Sequence, residues 1–306
     1  MFIHRPMIMT MMALYRVTTE PICGVDEASF VTLFREKWAR LDTALHHCIA
    51  FTRFCNSTGK RYQPHKQNIE SNKEAAIMIE KFHPITHVIF DMDGLLLDTE
   101  PKYEKAISTI CENFGSKYTL EAKLGALGRT ATDAANAVIT KCNLPISCEE
   151  FLDLMESQYP SVFQHVDMMP GAEKLVSHFA QAQIPQAIAT SSKTTTFRLK
   201  SKGKEDFFGK FSHIVIGSDD PEVVQGKPHP DIFHVAAKRF PNPPESMQSV
   251  LVFEDSINGV KAGLAAGMQV VWVPDPCLDI TSQNATQIIK SLEDFNPQHF
   301  HLPKWA

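Results

Sequence analysis

Two carboxylates stand two residues apart in His87-Val-Ile-Phe-Asp-Met-Asp-Gly94, at Asp91 and Asp93. They follow a short apolar run and precede a glycine. Carboxylates this close cannot both ionise freely without a counter-charge. Such a pair suits a nucleophile, a proton donor and a hard divalent cation. Gly94 allows a tight turn and the close approach of neighbouring groups. Taken alone, an Asp-x-Asp pair is common; after an apolar strand and before Gly94, a turn acid capping a helix is the lesser, competing reading.

Three further clusters carry similar potential. In Ala189-Thr-Ser-Ser-Lys193, the Thr190 hydroxyl and the Ser191 N–H stand where a helix begins, an arrangement that binds anions. By itself the cluster reads as a helix cap. Gly226-Lys-Pro-His-Pro-Asp231 places Lys227 before a proline-bounded helix start. An ammonium there can hold an anion or bridge carboxylates, although a lone lysine is usually solvated. Val252-Phe-Glu-Asp-Ser-Ile-Asn-Gly259 puts Glu254 and Asp255 after another apolar run. Those acids could hold a hard cation, or merely cap a turn.

The elements around these clusters bring them together. Short Val/Ile-rich runs occur at His87–Phe90, Pro185–Thr190, Ser212–Gly217, Ser249–Phe253 and Gln269–Val273. Runs of this length and composition predict buried parallel strands. Helical stretches at Gly171–Gln183, Pro230–Arg239 and Ser256–Ala266 lie between them. The alternation predicts an α/β fold, a doubly wound parallel sheet covered on both faces. Ligands in such sheets bind beyond the carboxyl ends of the strands, which gathers the four clusters into one crevice. Pro101–Val166 breaks the rhythm and reads as three or four helices, with Tyr103, Ile107, Ile110, Cys111 and Phe114 on one face. A segment this long is no simple loop. The expected organisation is an extension over 1–80, a catalytic core over 81–100 and 167–306, and an inserted all-helical cap domain over 101–166.

Composition bounds the function. The 306 residues are 43% hydrophobic and 21% charged, with a net charge of −5, as in globular proteins. No run of 18 apolar residues suggests a membrane span. Residues 1–80 hold 10 Lys and Arg against 8 acids, so the remainder carries a net −7. An acidic body argues against a nucleic-acid surface. Seven cysteines without a Cys-x-x-Cys motif fit a reducing compartment, and the cytoplasm is the expected location. Within the extension, Asp26–Cys55 carries apolar residues at helical spacing, and 56–75 reads as a linker. Met1–Val17 contains two Arg and no acid, a weak likeness to a mitochondrial presequence. His46-His47-Cys48 lacks the spacing of a zinc site.

Taken together, Asp-x-Asp, Thr190, Lys227 and Glu254-Asp255, each after a strand, resemble the four ordered motifs of the haloacid dehalogenase superfamily. The likeness spans roughly residues 83–304. The helical insertion between the first two motifs resembles the subclass with a helical cap. Asp at position 93 resembles that superfamily's phosphatases and phosphomutases. Phe90–Glu100, Met169–Leu175, Phe207–Val215 and Ala265–Val271 resemble its pseudouridine-5′-phosphatase branch more closely.

The resemblance implies a set of roles. Asp91 would be the nucleophile and Asp93 the acid and base. Thr190, Ser191 and Lys227 would bind phosphate. Mg²⁺ would sit on Asp91, the carbonyl of Asp93 and Asp255, with Glu254 in support. Gly125–Thr130 would form the substrate loop, with Gly128 and Arg129 facing the substrate, and Tyr103 behind the first motif. The implied partner is a small phosphorylated metabolite, with no nucleic acid and no membrane. Pseudouridine 5′-phosphate is the implied substrate. A different sugar phosphate, a mutase similar to β-phosphoglucomutase and a catalytically inert scaffold are the competing readings.

Overall fold

The computed structural model describes residues 82–305, apart from Gly128, Asp279 and Gln283. The expected extension, with its amphipathic helix, linker, presequence and His46-His47-Cys48 patch, lies outside the described residues.

Six parallel strands form one sheet in the order β3-β2-β1-β4-β5-β6. They are β1 His87–Phe90, β2 Gln186–Thr190, β3 His213–Ile216, β4 Val250–Glu254, β5 Gln269–Trp272 and β6 Gln287–Ile288. The first five match the apolar runs of the sequence. The sixth was not anticipated, because two residues carry no periodicity; β6 exists through pairing with Val271 and Trp272 of β5.

Both faces of the sheet are covered. Val88, Phe90, Ile188, Leu251, Phe253 and Val271 enter one core. Ile89, Ala187, Ala189, Val215, Val252 and Trp272 enter the other. Alternate residues therefore point to opposite faces, and both sets are apolar, as a sandwiched parallel sheet requires. The Phe90 and Phe253 rings stack at 4.9 Å on neighbouring strands. Each buried ring of this kind contributes about 1.5–3 kcal/mol. Their register fixes the strand ends from which Asp91 and Glu254 emerge.

Four helices occupy the chain between β1 and β2: α1 Glu100–Asn113, α2 Leu120–Ala126, α3 Ala131–Cys142 and α4 Cys148–Val162. Thr119, Thr130 and Ser147 each cap a helix start through the side-chain oxygen, and Ser147 forms a capping box with Glu150. Ile110 and Cys111 of α1 are buried. Phe114, expected on the same face, is 40% exposed, because it follows the last helical residue and leaves the apolar stripe. The chain enters and leaves this region along paired backbone. The Asp98 N–H donates to the Asp167 carbonyl at 2.9 Å, and that of Met169 to the Leu96 carbonyl at 2.9 Å.

The helices beyond this region are α5 Ala172–Gln181, α6 Thr194–Ser201, α7 Glu205–Phe208, α8 Asp231–Lys238 and α9 Ile257–Ala265; α8 and α9 pack on the sheet, whereas α6 contacts α4. In α5, Leu175, Val176 and Phe179 are buried at helical spacing. Among the described residues, no helix is long and apolar enough to cross a membrane.

Candidate active site

Asp91 directly follows β1, and its N–H donates to the Phe253 carbonyl at 3.0 Å. That bond carries the ladder one step past the strand and holds the carboxyl beside the end of β4. Lys227 reaches in from the segment after β3. Its Nζ donates to Asp91 Oδ1 at 2.5 Å, Glu254 Oε1 at 2.7 Å and the Ala189 carbonyl at 3.0 Å. It lies 5.0 Å from the Phe233 ring centre. Lys227 is therefore a buried bridge between two carboxylates, not a solvated lysine. Burial pushes its ammonium down, but Asp91 and Glu254 outweigh that and raise it above the usual lysine range.

Glu254 is fully buried. Its Oε2 accepts from the N–H groups of Asp255 and Ser256 and from the Ser256 hydroxyl, each at 3.0 Å. With Lys227 on Oε1, both oxygens are occupied. Ser256 in turn caps α9 by accepting from the Gly259 N–H at 3.0 Å. Glu254 thus ties the end of β4, the start of α9 and Lys227 together.

Asp91, Glu254 and Asp255 each bring a carboxylate oxygen within 4.8 Å of the others. One ammonium faces this trio. Burial, then Glu254, Asp91 and Glu100, raise the Asp255 carboxyl well above the carboxylate range, against the pull of Lys227. Burial also lifts Asp91 to about 7, with Lys227 opposing and Glu254 and Asp93 adding. Three acids against one cation leave a charge deficit that a divalent metal ion would fill. Because hydrogen bonds saturate Glu254, Asp91 and Asp255 are the carboxylates available to the ion. A Cβ on Gly94, whose φ is +77°, would collide with the Asp255 carboxylate. The absent side chain leaves room for that acid.

The Asp93 side chain turns away from the trio. Its Oδ1 accepts from Lys200 Nζ at 2.5 Å and its Oδ2 from the Ser192 hydroxyl at 2.8 Å. Thr190 Oγ1 lies 3.5 Å from Oδ2. Burial pushes the Asp93 carboxyl up, but the Lys200 charge and the bonds from Lys200 and Ser192 outweigh it and hold it below the usual range. Neither Lys200 nor Ser192 was singled out in the sequence. Ser192 belongs to the Thr-Ser-Ser cluster and could have been; Lys200 lies 107 residues from Asp93 and gives no local signal.

The other anticipated residues fall in different places. Thr190 is buried at the end of β2, and its Oγ1 accepts from the Ser192 N–H at 3.1 Å. Ser191 is exposed on the same turn, and its carbonyl accepts from Ser218. Tyr103 packs behind Asp93, with its hydroxyl accepting from Lys200 at 2.7 Å. Burial first, then Asp93, Glu100 and Asp91, push its phenol well above the tyrosine range. Arg129 is exposed between α2 and α3, and among the described residues no ion pair joins its guanidinium to the Asp91 cluster. Gly128 lies outside the described residues. Glu100, which opens α1, was missed. Burial and then Asp93 raise its carboxyl to about 7, against Lys123.

Comparison with known proteins gives the chain a family and relatives. A family model described as haloacid dehalogenase-like hydrolase matches residues 88–273. The chain is 46% identical over 222 residues to the (DL)-glycerol-3-phosphatase 2 of Arabidopsis thaliana, covering 72% of this chain and 92% of that one. It is 44% identical over 223 residues to a Drosophila melanogaster protein named "Probable pseudouridine-5′-phosphatase", covering 72% and 96%. Among solved structures, a HAD family hydrolase from Deinococcus radiodurans with bound phosphate and sodium aligns with a TM-score of 0.55. The two are 25% identical, and the match covers 69% of this chain and 93% of that one.

Proposed function

From the premise that the chain belongs to the haloacid dehalogenase-like hydrolases and is a phosphatase of small phosphomonoesters, we propose that it hydrolyses pseudouridine 5′-phosphate through an aspartyl-phosphate on Asp91, with Mg²⁺ as cofactor. The carrying observation is the division of labour between the two acids. Asp91 faces Lys227 and the cation cluster, while Asp93 is held apart by Lys200 and Ser192.

In the first step, an oxygen of Asp91 attacks phosphorus and the bond from phosphorus to the leaving oxygen breaks. Asp93 gives that oxygen its proton. A phosphate dianion beside Asp93 adds like charge, which raises its proton affinity towards the value this role needs. In the second step, Asp93 takes a proton from water, the water oxygen attacks phosphorus, and the bond to Asp91 breaks to release phosphate. Lys227 stays on Asp91 and offsets the charge around it, and Thr190 and the Ser191 N–H hold phosphate oxygens. Asp91, Asp255 and the Asp93 carbonyl would hold Mg²⁺, whose charge offsets repulsion between phosphate and carboxylates. The helical segment 101–166 acts as the cap over this crevice and excludes bulk water.

The resemblance of Phe90–Glu100 and the outlying segments to the pseudouridine-5′-phosphatase branch supports the choice of substrate. A second reading is glycerol 3-phosphate, favoured by the 46% identity to the Arabidopsis enzyme. Both substrates are phosphate monoesters of a primary alcohol whose neighbouring carbon bears an oxygen, the ring oxygen of the ribose in the first and a hydroxyl in the second. Phosphate release from both, from other nucleotides and from sugar phosphates, with Mg²⁺ and with chelator, decides between them. Preference for pseudouridine 5′-phosphate upholds the first reading. Preference for glycerol 3-phosphate replaces it, and no release from any ester rejects both.

A further inference from the structure

We infer that Lys200 is a positioning residue that fixes the Asp93 carboxyl by its Oδ1 and so presents Oδ2 as the oxygen that exchanges the proton. The inference rests on the reading of Asp93 as the acid and base.

Lys200 is completely buried, on α6. Its ammonium has three N–H bonds to give and three acceptors in reach: Asp93 Oδ1 at 2.5 Å, Tyr103 Oη at 2.7 Å and Ser192 Oγ at 3.0 Å. The ring centres of Tyr103 and Phe163 lie 4.9 and 5.0 Å from Nζ, within the range where an aromatic face attracts a cation. Those rings meet edge to face at 5.3 Å. The ammonium is thus held on all sides, and a buried ammonium is retained only where its partners are in place.

This arrangement makes the two Asp93 oxygens unequal. A lysine only donates, so Oδ1 can hardly carry a proton while Lys200 is bound. Oδ2 faces a hydroxyl, and a hydroxyl both donates and accepts. Ser192 can donate to an ionised Oδ2 and, after rotation, accept from a protonated one. Oδ2 also lies on the Thr190 side, where phosphate is expected. Tyr103 comes from α1 and Phe163 follows α4, whereas Lys200 and Asp93 belong to the sheet side. The helical insertion therefore contributes to the aim of the Asp93 carboxyl.

Leaving-group dependence tests the inference. p-Nitrophenolate leaves p-nitrophenyl phosphate without needing a proton, whereas the alkoxide leaving an alkyl phosphate needs one from Asp93. The parameter kcat/KM reports steps up to departure of the leaving group, so the later attack by water does not enter. For Lys200→Met, kcat/KM on the alkyl phosphate that the wild type turns over fastest falls about 10–100-fold more than on p-nitrophenyl phosphate, a fraction of what general acid catalysis supplies. Tyr103→Phe keeps the ring and the ammonium but removes one acceptor. It shows the same bias more weakly, and it carries the test should Lys200→Met fail to fold. Equal losses on both esters, in variants with wild-type melting, would overturn the inference. A wild type that releases phosphate from neither ester would instead overturn the phosphatase reading.

Discussion

The Cβ that Gly259 lacks would fall inside the Glu254 carboxyl group. The first turn of α9 is thereby pressed against the buried acid at the end of β4. Gly259→Ala gains up to about 1 kcal/mol of helix propensity. Overpacking costs about 1–3 kcal/mol, and four donors pin the carboxyl, so the clash wins. Thermal melting should show a lower midpoint for Gly259→Ala, and phosphate release should fall with it as Lys227 loses its anchor. A midpoint at or above wild type would contradict this packing.

Lys227→Met leaves Asp91 and Glu254 as buried acids without their shared cation. Removing one partner of such a set typically costs about 3–5 kcal/mol. Urea unfolding should register that loss, and activity should vanish. Added Mg²⁺ should recover part of the stability but not the activity. A loss under about 1 kcal/mol would mean that water reaches these acids and screens them.

Asp91→Asn keeps the shape and an acceptor for Lys227 but removes the charge of the oxygen proposed to attack phosphorus. Phosphate release should fall more than about 10³-fold, as for a catalytic nucleophile. Its melting above neutral pH without metal should equal or exceed that of wild type, since one buried like charge has gone. Retained activity would place the nucleophile elsewhere.

Cation binding should depend on pH with a definite sign. The Asp91 carboxyl is raised from 3.8 to about 7, and Asp255 moves the same way. A raised carboxyl favours the folded state when protonated. That contribution is complete below 3.8 and is lost as the pH climbs through about 7. The metal-free protein should therefore lose stability from this source over that window. Mg²⁺ competes with the same protons, so the rise in melting temperature it produces should be larger at about pH 8 than at about pH 5.5. A rise independent of pH would show that the ion binds away from these acids.

The local sequence around each motif was informative because its physics is local. The apolar runs that became β1 to β5 announce buried strands by composition. Asp91, Thr190, Glu254 and Asp255 each adjoin such a run, so a parallel sheet alone sends them to one edge. Ser256, at the head of the helical stretch Ser256–Ala266, signals a helix start within four residues. Lys227 was legible through its place just before Pro228 and Pro230 and through the order of the clusters. Its actual partners were not, since they come from three strands.

Tertiary packing decided the rest. Arg198, Lys200 and Lys202 alternate along one short stretch, and by type any of them could be the solvated cation. Arg198 and Lys202 are exposed, whereas Lys200 is fully buried. What separates them is the seating of α6 against Tyr103 and Phe163, residues contributed by distant helices. The two dipeptide positions of β6 likewise became a strand only because β5 offered an edge. The sequence determined which chemistry is present and at which strand ends it stands, because strand formation and turn chemistry are short-range. Which cation serves which carboxylate was left to the fold, because burial of a charge depends on every element packed around it.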